Sequence, residues 1–186
     1  MNSDFSHFKL KVDWKPSQFR GHSVKRNISQ YLWNKKIRKQ TLLEREHTCR
    51  ICGYEPDEEN LRYLEMHEIE QYDEVNLVCR LEGIDLICKR CHAFHHLGFT
   101  YSRTTKEQFD ELIQHFMKVN NCTEEDFRSH FNAVRDQKFQ GIPSLTEMKK
   151  MREDTRVVRY SVTGDIPYKD EVISQLKKKN LYVELC

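Results

Sequence analysis

Two closely spaced cysteine pairs constrain the fold of this chain more than any other feature of its 186 residues. Each pair has the spacing C-x2-C, and the four residues are Cys49 and Cys52 in HTCRICGY and Cys88 and Cys91 in LICKRCHAFHHLG. A C-x2-C turn holds its sulfur atoms at a separation that suits tetrahedral Zn²⁺, so two such turns supply all four ligands. The sequence therefore predicts one structural Zn²⁺ that joins residues 49–52 to residues 88–91.

The composition is typical of a soluble globular protein, with 38% hydrophobic and 32% charged residues. The chain has no apolar run long enough to span a bilayer, and MNSDFSHFKL lacks the hydrophobic core of a signal peptide, so no membrane partner is expected. The seven cysteines are odd in number and four lie in metal-type pairs, which favours a reducing cytoplasm. Cys79, Cys122 and Cys186 are expected to be free thiols.

Histidine residues accompany this cysteine pattern. The second pair runs directly into His92 and His96, and in a helix this i, i+4 spacing places both imidazoles on one face, where they can bind a second metal ion. Between the pairs, Met66-His67-Glu68-Ile69 lies on a short apolar strand. A zinc ribbon, in which the metal only stabilises a small fold, accounts for the cysteines but has no need of these histidines.

The order of a zinc pair, a strand with histidine, and a helix with histidine resembles the HNH endonuclease family, the ββα-metal nucleases. In the zinc-containing branch the pattern runs C-x2-C, then L-E-x-H-H-I, then L-C-x2-C-H-x3-H. The resemblance covers about Trp33 to Gly98, roughly a third of the chain. It implies a metal-dependent endonuclease that hydrolyses phosphodiester bonds in DNA, with RNA not excluded, as the cutting component of a bacterial defence or mobile-element system.

The resemblance also implies which residues carry the chemistry. His67, His92 and His96 would bind the catalytic divalent ion, and Glu68 would act as general base or as an additional carboxylate facing the metal. The family most often has His-His or Asp-His where this chain has His67-Glu68. A shift of one residue would instead make His67 the base and leave the ion to His92, His96 and an acid such as Glu65.

Two further features bear on the predicted ion and its base. Mg²⁺ prefers oxygen ligands, so a histidine-rich site favours Mn²⁺, Ni²⁺ or Zn²⁺ unless Glu68 or Asp73 joins it. The central asparagine of the family has no counterpart, because Gly83-Ile84-Asp85 occupies that stretch. The catalytic cation, whether Mg²⁺, Mn²⁺ or Ni²⁺, and the identity of the base therefore stay open.

The charge is unevenly distributed along the chain. Residues 1–50 hold twelve Lys+Arg against four Asp+Glu, whereas residues 55–74 hold nine acids and one base. Positive charge beside an acidic, histidine-bearing centre suits the binding of a polyphosphate. The candidate nucleic-acid-binding residues are Lys35, Lys36, Arg38 and Lys39. The alternative is that these four residues form the solvated face of a helix.

The periodicity predicts an α+β fold. The resemblance implies that its centre is a ββα-metal HNH module with structural zinc, flanked by an N-terminal strand and helix, a C-terminal helical hairpin and a small β-α-β tail. The expected segments are an N-terminal strand and basic loop (1–28), the zinc module (29–100), the helical hairpin (101–140) and a helix plus the tail (141–186).

Local signals set the expected boundaries of these elements. Alternation predicts a strand from Phe8 to Trp14, and Ser29 predicts the start of a helix that runs to about Glu46. In the module we expect strands over 61–69 and 75–87 and a helix over 91–97 closed by Gly98. Thr105 and Gln108 form a capping box, and Thr123 caps the next helix. A linker over 141–143 and a charged helix from Ser144 precede tail strands over 157–162 and 181–185.

The predicted tail is too small to fold alone, so it needs a partner surface: the N-terminal strand, a second copy of the chain, or another protein. Two functions compete. The first is the metal-dependent endonuclease, and the second is a catalytically inactive, zinc-stabilised nucleic-acid-binding or adaptor module. They differ in whether His67 and His92 approach a common metal ion.

Overall fold

The computed structural model describes residues 4–13, 15–140, 146 and 156–184. They form a mixed α and β protein that divides into two compact units, each described by itself below. The first unit draws on residues 1–14, 49–54 and 87–153, and the second on residues 15–48, 55–86 and 154–186. The expectation of an α+β protein with a small sheet is therefore confirmed.

In chain order the helices are α1 (Val24–Asn27), α2 (Arg38–Glu44), α3 (Lys89–His95), α4 (Leu97–Tyr101), α5 (Lys106–Asn120), α6 (Glu124–Gln140) and α7 (Lys169–Lys178), and the strands are β1 (Leu64–Asp73), β2 (Val78–Cys88) and β3 (Arg159–Val162). Short 3₁₀ turns cover Ser17–Phe19 and Glu58–Tyr63, and a π-helical turn, Leu32–Ile37, leads into α2.

The sheet of the second unit has the strand order β1-β2-β3. The four residues between β1 and β2 are too few for a parallel crossover, so these two strands form the expected hairpin. Each strand begins three residues later than predicted, at Leu64 and at Val78. β2 is buried along most of its length because it pairs on both sides.

The C-terminal tail completes this sheet. β3 pairs in parallel with β2, from Val78 opposite Arg159 to Leu81 opposite Val162. After α7 the chain returns to a parallel bridge between Tyr160 and Tyr182, so the predicted β-α-β order is confirmed, although the last strand is reduced to one bridge. In the described residues β2 supplies the pairing edge of β3. A second copy of the chain or another protein as a partner of the tail stays a prediction.

Gly164 explains why the tail can approach β2 so closely. Its N–H donates to the carbonyl oxygen of Leu81 at 3.2 Å. A Cβ at this position would lie 1.6 Å from the carbonyl oxygen of Glu82, well inside van der Waals contact. Only glycine therefore fits where β3 ends.

The predicted N-terminal helix of the second unit is confirmed. The Ser29 hydroxyl accepts a hydrogen bond from the Leu32 N–H at 3.2 Å, as an N-cap does. Trp33 and Ile37 are 1% and 0% exposed, so the helix presents an apolar side to the core. The helix ends at Glu44, two residues before the expected end.

The N-terminal segment of the first unit differs from its prediction. Phe8, Leu10 and Val12 alternate with exposed residues as expected, but residues 4–13 form no strand. Side chains bond to the backbone of Leu10 and Val12: Asn120 exchanges two hydrogen bonds with Leu10, at 3.0 and 2.8 Å, and Val12 N–H donates to His130 Nε2 at 3.0 Å. The Asp13 N–H donates to the backbone carbonyl of Phe94 at 3.4 Å. The alternating pattern predicts which side chains are buried, but it does not predict which groups bond to the backbone of the segment. Trp14 lies outside the described residues.

The helical hairpin of the first unit follows its prediction closely. The capping box of α5 is present, with Thr105 Oγ1 and the Gln108 side chain each accepting the other's backbone N–H. Asn121 ends α5 in the left-handed conformation, and Thr123 caps α6. The predicted stripe supplies Phe116 and Phe127 to an aromatic core, with ring centroids 5.0 Å apart.

The helix after the second cysteine pair is the other correction. It runs from Lys89 to His95, and His96 leaves the helical conformation with φ −131°. The chain then restarts as α4, so Gly98 lies inside a helix and does not close one. Leu97, only 2% exposed, anchors this restart in the core. The linker over 141–143 and the start of the helix predicted from Ser144 lie outside the described residues.

Candidate metal centres

The four paired cysteines meet in the first unit. The four Sγ atoms all lie within 4.8 Å of one another, and those of Cys52 and Cys88 are 3.7 Å apart. Tetrahedral Zn–S bonds of about 2.3 Å place neighbouring sulfur atoms about 3.8 Å apart. The cluster therefore has the spacing and the soft ligands of a closed structural zinc site.

Local backbone geometry holds the sulfur atoms in place. The first pair lies in a tight turn where Cys49 N–H donates to the Tyr54 carbonyl and Gly53 N–H to the Cys49 carbonyl, both at 2.9 Å. Gly53 has φ +72°, which glycine adopts without strain. Cys88 ends β2 and precedes α3, and its N–H donates to Cys49 Sγ at 3.2 Å. Such N–H···S bonds favour the thiolate form.

Hydrogen bonds within the sulfur cluster also shift the pKa values of its four thiols. A hydrogen bond from the Cys52 thiol lowers the pKa of Cys49 to about 6, and one from Cys49 lowers the pKa of Cys88. The pKa of Cys52 and of Cys91 is raised, since these thiols are the donors to Cys49. Metal binding would displace the protons that the cluster still holds.

His115 contacts this cluster and was not among the predicted site residues. It is a buried residue of α5 whose Nε2 lies 3.2 Å from Cys91 Sγ. When Cys91 binds a metal as the thiolate it can only accept, so this ring nitrogen would then donate to it. His115 is not within 4.8 Å of all four sulfur atoms and is therefore a neighbour of the ligands, not one of them. The sequence signal that could have indicated this role is the position of His115 directly before Phe116 in the apolar stripe of α5.

Two predicted catalytic residues come together in the first unit. The rings of His92 and His96 are 4.7 Å apart between centroids and nearly perpendicular, although the helix breaks at His96. His92 is half-buried and His96 exposed, so the pair opens to solvent. His95 lies 3.8 Å from the Asp13 carboxylate, and its side chain is 15% exposed.

The other two, His67 and Glu68, lie on β1 in the second unit. Because side chains alternate along a strand, they point to opposite faces of the sheet. Glu65 shares the face of His67. Glu68 accepts a hydrogen bond from the Lys25 N–H of α1 at 2.9 Å. Burial, with the nearby charge of Glu70, raises the pKa of Glu68 to about 7.

Asp73, the other predicted oxygen ligand, has a structural role. Its carboxylate accepts hydrogen bonds from the Asn76 backbone and side chain at 3.0 and 2.9 Å, and it lies 3.3 Å from Arg80. These contacts lower the pKa of Asp73. Asp73 therefore closes the turn between β1 and β2.

The four predicted nucleic-acid-binding residues differ in their surroundings. Arg38 donates to the carbonyl oxygens of Leu61 and Leu64, both at 3.0 Å, and so ties α2 to the start of β1. Lys36 forms an ion pair with Glu171 of α7 at 2.7 Å. Lys35 and Lys39 are exposed.

Comparison with known proteins adds no relative: no family model, no curated protein and no solved structure matches this chain. Assignment to a class thus rests on the residues themselves. In the part of the chain that the structure describes, every helix is too short or too polar to cross a membrane.

Proposed function

We propose that this protein is a metal-dependent endonuclease of the HNH type that hydrolyses phosphodiester bonds in DNA. The observation that carries the proposal is the pairing of His92 and His96, 4.7 Å between ring centroids, directly after the cysteine cluster. Two imidazoles in this arrangement are a typical ligand pair for a divalent transition metal. A structural zinc has no use for them.

The roles of the remaining residues follow the family resemblance. His67 is the third proposed group, as a metal ligand or as the base. The side chain of Glu68 points away from the face that His67 occupies, and its carboxylate is already an acceptor for α1. These two facts favour the reading in which His67 takes the proton from water and Glu65, on the same face, is the acidic residue. Histidine suits that role because its side chain titrates near neutral pH.

A divalent cation bound at His92 and His96 would stabilise charge on the phosphorane and on the leaving oxygen. The protein's own contribution is to hold these imidazoles on a backbone that the cysteine cluster already orders, because α3 begins next to Cys88 and contains Cys91. Such preorganisation keeps the ligands in place before substrate binds. Lys35 and Lys39 are the proposed phosphate contacts.

The test is a plasmid-nicking assay with Mg²⁺, Mn²⁺ and Ni²⁺. His67→Ala and His92→Ala should lower cleavage by about 10²–10⁴-fold, and zinc content should not change. His7→Ala, a change to an exposed histidine of the first unit, is the matched control. Glu68→Gln should retain most of the activity if His67 is the base. Full cleavage by His92→Ala would end the proposal.

One observation favours the second candidate, a zinc-stabilised nucleic-acid-binding or adaptor module without catalysis. The chain has glutamate where the family most often has the histidine base, and that glutamate points away from His67. Wild-type protein that binds DNA but leaves the plasmid intact under all three metals would establish this alternative.

A further inference from the structure

Two large aromatic side chains are exposed on α4, immediately after the histidine pair. Phe99 is 63% exposed and Tyr101 is 68% exposed. Burying a phenylalanine is normally worth about 1.5–3 kcal/mol, so two such residues in solvent within three positions form an unusual surface. Exposed apolar patches with a polar rim mark interaction sites.

Contacts within the first unit orient both rings. The Arg103 guanidinium lies over the ring of Phe99, 4.5 Å from its centroid. The Tyr101 ring meets Phe109 of α5 edge to face, with centroids 5.1 Å apart and an angle of 84°. Tyr101, Phe109 and Lys106 also line a shallow open depression. The rings are thus held in defined positions while most of their surface faces solvent.

The charged residues that flank these rings in the sequence have one sign. Residues 87–106 contain Lys89, Arg90, Arg103 and Lys106 and no aspartate or glutamate. All four basic side chains are exposed, and acidic residues resume only at Glu107. An aromatic surface with this positive rim complements a ligand that has flat apolar rings and phosphate charges.

We propose that Phe99, Tyr101, Arg103 and Lys106 form a stacking surface for unpaired nucleobases. The inference rests on the proposed function and narrows its substrate to single-stranded nucleic acid or a locally unpaired strand. In a duplex each base is stacked between its neighbours and shows only its edges in the grooves. An aromatic side chain can therefore stack only on a base that has left the helix, whereas basic residues alone suffice to bind duplex phosphates.

The test uses the whole zinc-loaded protein and fluorescence anisotropy with labelled 20-nucleotide probes: single-stranded DNA, single-stranded RNA and a DNA duplex. The double change Phe99→Ala, Tyr101→Ala should weaken single-strand binding by about 30-fold or more, with duplex binding changed by less than about twofold. The DNA and RNA probes distinguish the two sources of unpaired bases. Tyr31→Ala, which removes a tyrosine 66% exposed in the second unit, is the matched control.

An aromatic replacement separates stacking from a merely structural role. Phe99→Trp and Tyr101→Trp should keep single-strand affinity, and their new tryptophan emission should be quenched when the DNA binds. Phe99→Leu keeps an apolar side chain but should lose affinity. Retained affinity in Phe99→Leu would mean that apolarity alone, and not the ring, is used.

Several results would overturn the stacking proposal. It fails if the double alanine variant binds single strands as the wild type does, if the wild type prefers the duplex, or if it binds none of the probes. It also fails if the double change instead abolishes a concentration-dependent dimer, because the surface would then join two copies. An uncleaved plasmid, together with single-strand binding lost only in the double variant, would refute the nuclease and leave the stacking surface standing.

Discussion

The two units of this protein have interiors of different chemistry. The first combines a cluster of phenylalanine rings with four cysteine sulfurs, and the second combines an aliphatic sheet with a buried ionic group. The difference matters for stability, because among the described residues the four cysteine ligands that one metal ion can hold together all lie in the first unit. We therefore expect the two units to respond differently to the same perturbation.

In the first unit, the rings of Phe94, Phe116 and Phe127 form an aromatic core and lie 5.0–6.2 Å apart between centroids. Two polar side chains, Asn120 and His130, hold the N-terminal segment on this core by hydrogen bonds to its backbone. A small aromatic core is marginal without a further cross-link. The cysteine cluster provides that cross-link when zinc is bound.

In the second unit, an ionic group lies beside the hairpin. Glu70, whose side chain is 6% exposed, pairs with Lys15 at 2.5 Å and accepts hydrogen bonds from Tyr72 at 2.6 Å and Cys79 at 3.2 Å. A buried carboxylate is tolerated only when it is paired and hydrogen-bonded in this way. Burial, with the nearby charge of Glu70, raises the pKa of the Cys79 thiol.

The largest expected effect is that of zinc removal. Cys52→Ser, or treatment of the wild type with a strong chelator, should unfold the first unit and leave the second largely protected, because zinc binding in small domains is worth about 10–16 kcal/mol. Hydrogen exchange measured by mass spectrometry should show lost protection over residues 87–120 and retained protection over 64–86. Cys122→Ser, a change to a free thiol outside the cluster, is the control. A folded, zinc-free Cys52→Ser protein would contradict the prediction.

The second effect is a loss of stability that is expected in the second unit and not in the first. Lys15→Ala leaves the buried Glu70 carboxylate without its cation, and removing one partner of a buried pair costs about 3–5 kcal/mol. Chemical denaturation of the zinc-loaded protein should show this loss in the second unit. Lys36→Ala is the control: it breaks the Lys36–Glu171 pair, which is exposed to solvent, and should cost much less stability than Lys15→Ala. Equal costs for the two variants would show that Glu70 needs no cation.

The third effect concerns His115 and the thiolate of Cys91. His115→Phe fills the same space but cannot donate to sulfur, so zinc should be lost to a chromophoric chelator about 10–100-fold faster. His115→Gln, which retains an N–H donor, should restore most of the slow release. Identical release rates in all three proteins would show that the 3.2 Å contact has no influence on the metal.

The smallest effect is a pH dependence confined to the first unit. Burial lowers the pKa of His130, and Val12 N–H donates to its Nε2, which must therefore be unprotonated. The stability that His130 contributes is complete above the ordinary pKa near 6.5 and is lost as the pH falls below it.

Urea denaturation at pH 7.5 and pH 5.5 should detect this loss. His130→Gln retains an acceptor that does not titrate, so its stability should change less between the two pH values than that of the wild type. Zinc dissociation at low pH affects both proteins and cancels in the comparison. Equal pH dependence in the two proteins would refute the role of His130.

Features that depend on neighbours three or four residues apart were predictable from the chain alone. The Thr105–Gln108 capping box, the Ser29 cap and the two C-x2-C turns appear as predicted, because each is closed by contacts within one turn of backbone. The hairpin β1–β2 was predictable for the same reason. Opposite faces for His67 and Glu68 also follow from the two-residue period of a strand, once the strand is known to include both.

Features that depend on distant partners were decided by tertiary structure. Alternation over Phe8–Asp13 named the buried side chains, but only the fold shows that Asn120 and His130, and not a strand, satisfy that backbone. In the same way, β3 finds its edge on β2, and His115 reaches Cys91 across 24 residues of chain. The sequence pattern predicts which residues are buried, because burial repeats with the period of the helix or strand. Which residues pack against them depends on how distant segments of the chain come together, and a local period does not contain that information.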